Sequence, residues 1–252
     1  MSTTVINLIH KHGSVRDYKP DPVPEDMINE IVAAAQRAAT SSNLQTYSVV
    51  ITTDPLKKQK LQEISGDQKH ISQAPVFFTW CADFSRLKRA CNHQGYTLEA
   101  GYVENFMVAT VDAAIAMQNA ALAAQSLGLG FCYIGSIRNQ PQRVIDLFQL
   151  PKYVYPVAGM TMGWPVKPPR IRPRLPIGAI LHWETYDQDD IHFLEEYGRA
   201  MIDTGIYRGR QVDLEDQEPN EYGWMEHSAR RSSKPSRPHL KESIIEAGFL
   251  LK

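Results

Sequence analysis

The stretch "HGSVRDY", His12 to Tyr18, packs an imidazole, a hydroxyl and a guanidinium into five positions near the start of the chain. Two readings are open to it. His12 and Gly13 can close a first helix after the apolar-periodic Val5, Ile6, Leu8 and Ile9, leaving Ser14 and Arg16 on a solvated turn. Alternatively, His12, Ser14 and Arg16 can act together with a second cationic group, Arg170, Arg172 and Arg174. Their ligand would be a phosphate and an electron-rich heterocycle, since arginine offers fork-shaped donors to both. No G-x-G-x-x-G opens a helix after the first expected strand, and no G-x-x-x-x-G-K-[ST] occurs. Side chains would therefore have to hold the phosphate. Hydrolytic motifs are absent too: there is no G-x-S-x-G, no H-E-x-x-H and no cysteine in an activating context.

A bound flavin asks for something else: donors at its N1 and O2 edge, a backbone N–H near N5, partners for the pyrimidine edge, and an open face. "YIGS", Tyr133 to Ser136, can supply backbone donors, because Gly135 lets the chain approach a planar ligand closely.

The elements that must position these groups are legible from periodicity. "PDPVPEDMINEIVAAAQRA" reads as a proline-rich turn and a helix with Met27, Ile28, Ile31, Val32 and Ala35 on its buried stripe. It breaks at Thr40-Ser41-Ser42-Asn43. Four β-branched or aromatic runs, Thr46 to Thr52, Val76 to Ala82, Phe131 to Gly135 and Tyr155 to Trp164, are the expected strands of a buried central sheet. Between the second and third lies a long helix ending at Gly128, with Met107, Val108, Val111, Ala114, Ile115, Gln118 and Ala121 at helical spacing. Its alanines suggest close helix packing, and Met107 and Met117 read as core. From Pro165 a stiff, proline-spaced basic segment follows. Beyond Tyr186 come a helical stretch, an acidic tract (Asp213 to Glu221), a basic run (Arg230 to Arg237) and a short amphipathic helix. The charge-segregated tract reads either as a mobile lid or as solvated surface loops.

Composition excludes several classes. In 252 residues, 28 acids nearly balance 27 lysines and arginines, for a net charge of -1, so no global field favours nucleic acid or an anionic membrane. No cationic leader and no window of eighteen uninterrupted apolar residues is present, and the chain reads as cytoplasmic. Cys81, Cys91 and Cys132 form no C-x-x-C pair; they fit a reduced compartment and no metal site.

Eight stations in order, "HGSVRDY", "TSSNLQ", "GDQKHISQAP", "CADFSR", "DAAIAMQNAALAAQSLGLGFCYIGSIRN", "GMTMGWP", "RPRLP" and "SRPH", resemble the FMN-dependent nitroreductase family, and within it the NADPH-dependent nitroreductases and flavin reductases. The resemblance spans Ile9 to about Gly248. It implies an α+β fold with a central, mostly antiparallel sheet flanked by helices, in an intertwined homodimer. It implies an FMN core at residues 1–180 and, at 181–252, an extension with a mobile charged lid and a dimer-embracing segment. The implied activity is ping-pong two-electron transfer from NADPH, preferred over NADH, to small acceptors such as nitroaromatics, quinones or flavins. Flavin N5 carries the hydride and no catalytic side chain is required. By motif, His12 and Ser14 with Arg172 and Arg174 would hold the FMN phosphate, Arg16 would face N1 and O2, and Gln68 the pyrimidine edge. Thr40, Ser41 and Ser42 would line the flavin from the partner subunit, and Tyr133, Ile134 and Gly135 would lie along it. Arg237, with Arg230 and Arg231, would take the 2′-phosphate of NADPH.

The chain departs from the family pattern at Gly13, where an arginine is usual, at Ser136, where a second glycine is usual, and at Arg172, where a lysine is usual. Its acidic tract falls where relatives use basic residues for NADPH. A specialised member, such as a dehalogenating or flavin-consuming enzyme, and a flavin-binding protein without reductase activity are the alternatives.

Overall fold

In a computed structural model of the chain, which describes residues 2–209 and 222–252, the strand Val76–Asp83 (β2) is buried at all eight positions. A run such as VFFTWCAD can satisfy that burial only between two neighbours. It lies between Tyr47–Thr52 (β1) and Val154–Gly163 (β4), and Gly130–Ile134 (β3) pairs with β4, giving the order β1-β2-β4-β3. Every pairing is antiparallel. β1 and β3 are therefore the two edges.

Ten helices occur among the described residues: α1 (Thr4–His10), α2 (Glu25–Ala35), α3 (Pro55–Ile64), α4 (His70–Gln73), α5 (Ser85–His93), α6 (Val103–Ser126), α7 (Pro141–Phe148), α8 (Ile191–Asp203), α9 (Trp224–Ser232) and α10 (Leu240–Glu246). α2 packs through Ile28, Ile31 and Ala35 into the main core with Phe78, Trp80, Phe131 and Met160. Met27 and Val32 sit at the edge of that core.

The long helix corrects the expected stripe. α6 buries Ala109, Asp112, Ala113, Ala116, Ala120, Ala121 and Ala124, while Met107, Val111 and Ile115 are exposed. Met107 is therefore not core; Met117 is partly buried against it. Alanine has no side chain beyond Cβ, so this face can approach the sheet more closely than a face of methionine and isoleucine could. By length and composition alone α6 could cross a membrane. Its buried Asp112, with three hydrogen bonds inside protein, instead marks it as a helix of a protein core.

By packing the chain forms two units, Met1–Arg170 with His239–Lys252, and Ile171–Pro238. The boundary expected at residue 180 follows from the family resemblance and assigns the C-terminal residues to the extension. They return to the first unit because Ile244, Ala247 and Phe249 are buried with Phe84, Ala109 and Tyr155. The amide of Lys252 also donates to the Gly101 carbonyl at 2.8 Å. The acidic tract Asp213 to Glu221 lies outside the described residues.

Candidate functional site

The segment after α1 runs extended beside the edge strand β3. The Val15 amide donates to the Phe131 carbonyl at 2.9 Å, and the His12 ring stacks on Phe131 with centroids 4.9 Å apart. Val15 and Tyr18 are buried, whereas Ser14 and Arg16 are exposed. Tyr18 anchors the segment: its hydroxyl donates to the Val15 carbonyl (2.7 Å) and lies 2.8 Å from Thr161 Oγ1. Burial pushes that phenol well above the usual tyrosine range, so it stays neutral and structural.

Two glycines are dictated by close approach. A Cβ at Gly130 would stand 2.5 Å from Val15 Cγ2. One at Gly13 would stand 2.7 Å from the Arg170 carbonyl oxygen, so the departure from arginine at position 13 has a local steric reason.

Gln68 meets the other end of β3. Its Nε2 donates to the Ser65 carbonyl (2.9 Å) and to Ser136 Oγ (2.6 Å). Both amide protons are thereby engaged, and the carbonyl oxygen is what Gln68 can offer a ligand, namely an acceptor. Ser136, in place of a second glycine, supplies one of those two contacts. Tyr133 points outward with its hydroxyl donating to Gln118 Oε1 at 2.8 Å. Ile134 buries its side chain with Leu61 and Phe77, so only its backbone can face a ligand. Next to Gln68, the buried His70 has its Nε2 without a hydrogen-bond partner among the described residues, as does the hydroxyl of Ser65. Burial first, and the Arg16 guanidinium second, depress the His70 pKa to about 4. Sequence reasoning passed over His70; the signal was its place two residues after Gln68.

The break Thr40-Ser41-Ser42 lies elsewhere, leading into the opposite edge strand β1. Ser42, Asn43 and Gln45 all have positive φ (47°, 58° and 53°). Asp112 of α6 holds both ends of this loop. Its Oδ1 accepts from the Ser41 amide (3.0 Å), and its Oδ2 accepts from the Thr46 amide (3.1 Å) and hydroxyl (2.8 Å). Asp112 was also missed, although a carboxylate in an alanine-rich face was the available clue.

Arg172 and Arg174 belong to the second unit. Within it they line a cleft of about 510 Å³ with Arg231, Tyr197, Tyr207, Trp224 and His227. Of the residues expected to meet NADPH, only Arg231 lines this cleft. Arg230 pairs with Glu226 one turn earlier on α9, and Arg237 is half-buried with φ 53°.

The first unit thus brings three stations together around β3: His12 to Tyr18, Gln68 to His70, and Phe131 to Ser136. The donors and acceptors there suit a planar heterocycle with an N–H flanked by oxygens: a guanidinium at Arg16 and an acceptor at Gln68. A bound flavin mononucleotide fits that set.

Residues 9–164 match the Nitroreductase family and residues 172–252 its C-terminal domain. The chain is 36% identical over 247 residues to a Cr(VI) reductase of Pseudomonas sp., covering 97% of this chain and 98% of that one. It is 35% identical to the oxygen-insensitive NADPH nitroreductase of Salmonella typhimurium (99% of each chain) and to an FMN reductase [NAD(P)H] of Bacillus subtilis (97% of each). Among solved structures it is similar to NfrA2 of B. megaterium, with a TM-score of 0.92, 33% identity and full coverage of both chains.

Proposed function

We propose, from the premise that this chain belongs to the nitroreductase family, that it is an NADPH-dependent FMN oxidoreductase. It reduces small acceptors, nitroaromatics, quinones or flavins, by ping-pong two-electron transfer. The observation that carries the reading is full-length similarity to NADPH nitroreductases and FMN reductases; Ser136 holding the Gln68 amide and the exposed Arg16 support a flavin edge met by Gln68 and Arg16.

Bound FMN supplies the hydride relay between nicotinamide and acceptor. The residues hold and polarise it. Arg16 would hold the N1 and O2 edge of the ring with its positive charge. Gln68, its two amide protons already committed, would offer its carbonyl oxygen to the N–H of the pyrimidine edge. His12 and Ser14, with Arg172 and Arg174, take the phosphate. Tyr133, Ile134 and Gly135 offer backbone along the ring. No acid–base pair is required if water supplies the protons.

The active unit is a homodimer in this reading. Thr40, Ser41 and Ser42 precede one edge strand and Tyr133 to Gly135 end the other, three strand intervals or about 14 Å away across the sheet. A ring lying on β3 would therefore meet this loop from a second copy. The exposed Met107, Val111 and Ile115 on α6 and Val5, Ile6 and Ile9 on α1 provide an apolar face for that copy. The site is cytoplasmic in this reading, where NADPH and reduced cysteines are found.

A spectrum of the purified protein before and after NADPH tests the reading. One FMN per chain and bleaching by NADPH are expected. Arg16→Ala or Arg174→Ala should each cost roughly 1.5–3 kcal/mol of FMN affinity. Full FMN occupancy in both variants after dialysis would show the site to be placed wrongly, and a flavin that no nicotinamide bleaches would remove the reductase assignment.

A further inference from the structure

An irregularity in β4 lies beside the residues that end β3. Opposite β2 the register steps from Ala158 (with Trp80) to Pro156 (with Cys81), so Val157 is the extra residue of a β-bulge. Opposite β3 the pairing runs from Gly163 to Gly159, where Ile134 is the last partner. Val157 therefore stands outside both ladders, with a carbonyl that still needs a donor. Arg138 provides one, its Nη1 donating to the Val157 carbonyl. A guanidinium on a carbonyl makes a charge-assisted hydrogen bond, stronger than an ordinary ladder bond.

The same guanidinium backs Gly135. A Cβ at Gly135 would stand 3.3 Å from Arg138 Nη2 and 3.8 Å from its Nη1 and Cζ, so the planar group occupies the space in which a side chain would lie. Gly135 opens the 3-10 turn Gly135–Asn139, by which the chain leaves the sheet. Further contacts pin that turn. Ile137 is fully buried with Leu61 and Phe77, Ser136 Oγ takes the Gln68 amide, and the Nε2–H of His239 donates to the Arg138 carbonyl at 3.3 Å.

We propose that Arg138 is a positioning residue of the candidate flavin site: anchored on the bulged Val157 carbonyl, it fixes the Gly135 backbone that runs along the ring. The assignment rests on the FMN reading above and deepens it, because it adds a residue that acts on the ring through another. Glycine is the least restrained residue of all, so a glycine laid along a ring has to be held from outside. A misplacement of about 1 Å at a reacting centre can cost on the order of a hundredfold in rate, so the restraint bears on turnover although Arg138 takes no part in the chemistry.

The test compares the FMN-loaded unaltered protein with Arg138→Gln, Arg138→Lys and His239→Phe. Hydrogen–deuterium exchange of the peptide covering residues 133–137 reads the backbone directly, with β1 as the internal control. In Arg138→Gln that peptide should exchange at least about tenfold faster while β1 keeps its rate. Arg138→Lys, which keeps a cationic donor, should recover part of the protection, and His239→Phe should lose a smaller part of it. In stopped-flow reduction by NADPH, the limiting rate of flavin bleaching should fall about tenfold or more in Arg138→Gln, with the half-saturating NADPH concentration kept. Unchanged exchange at 133–137 would overturn the assignment. Equal acceleration in β1 would overturn it too, by making Arg138 a matter of global stability, as would a raised half-saturating concentration with exchange unchanged, by making it a contact of the reductant. Should Arg138→Gln not fold, Arg138→Lys and His239→Phe carry the same comparison. Unchanged exchange in variants whose flavin NADPH still bleaches would sink this inference and leave the FMN reading intact. A protein that takes up no FMN would overturn that reading and the role of Arg138 with it.

Discussion

His70 carries a consequence for stability that does not depend on any ligand. Its pKa falls from 6.5 to about 4 in the folded chain, chiefly by burial. Above pH 6.5 the ring is neutral in both states and contributes nothing to pH dependence. Between 6.5 and 4 the unfolded chain binds a proton that the native chain refuses, so stability falls as pH falls through this window, by up to about 3 kcal/mol at its lower end. His70→Phe removes the titration, and its urea-unfolding free energy should change less between pH 7.5 and 4.5 than that of the unaltered chain. Equal losses in both proteins would refute the burial argument. At this scale the sequence was informative about residues with a motif and silent about their supports. Gln68 was legible in "GDQ", but its contact with Ser136 is made by two segments 68 residues apart, and the orphaned Nε2 of His70 is a property of packing alone.

At the scale of elements, Asp112 shows how a helix can dictate a loop. Three of four successive loop residues, Ser42, Asn43 and Gln45, have positive φ, each in a conformation costing on the order of 1 kcal/mol for a side-chain-bearing residue. The loop persists because a buried carboxylate accepts hydrogen bonds from both its ends. Asp112→Ala should leave the Ser41 and Thr46 amides and the Thr46 hydroxyl short of acceptors and destabilise the chain by roughly 3 kcal/mol or more. Asp112→Asn, which keeps one carbonyl oxygen, should cost less. Denaturation midpoints give the order directly, and an alanine variant as stable as the asparagine variant would show that the carboxylate is dispensable. The four strands could be read off because β-branched and aromatic runs between turn residues are consistent with little else. The faces of α6 could not. A helix with alanines on one side and Met107, Val111 and Ile115 on another is apolar all round, and periodicity alone cannot say which apolar face packs on the sheet. Side-chain volume decided it.

For the whole molecule, Thr40 to Ser42 and Tyr133 to Gly135 lie at opposite edges of the sheet, and in the proposed flavin site that placement makes a dimer a functional requirement. If each site combines Arg16, Gln68 and Tyr133 to Gly135 of one chain with Thr40 to Ser42 of another, two differently damaged proteins can repair one another. Arg16→Ala damages the ring-holding chain. Ser41→Trp places bulk on the exposed donated loop while leaving the Ser41 amide free to bond Asp112. Each protein alone should retain little FMN, since both sites of a symmetric dimer carry the same defect. After unfolding, mixing and refolding, random pairing makes about half the molecules heterodimers. In each of these one site holds both defects and the other holds none, so about a quarter of all sites should regain FMN. Light scattering should report a dimer throughout, and Val111→Glu with Ile115→Glu on the exposed face of α6 should convert it to monomer with loss of flavin. A mixture that binds no more FMN than its components, or a monomer that holds FMN as tightly as the unaltered protein, would place Thr40 to Ser42 outside the partner's site and leave the exposed face of α6 in need of another occupant.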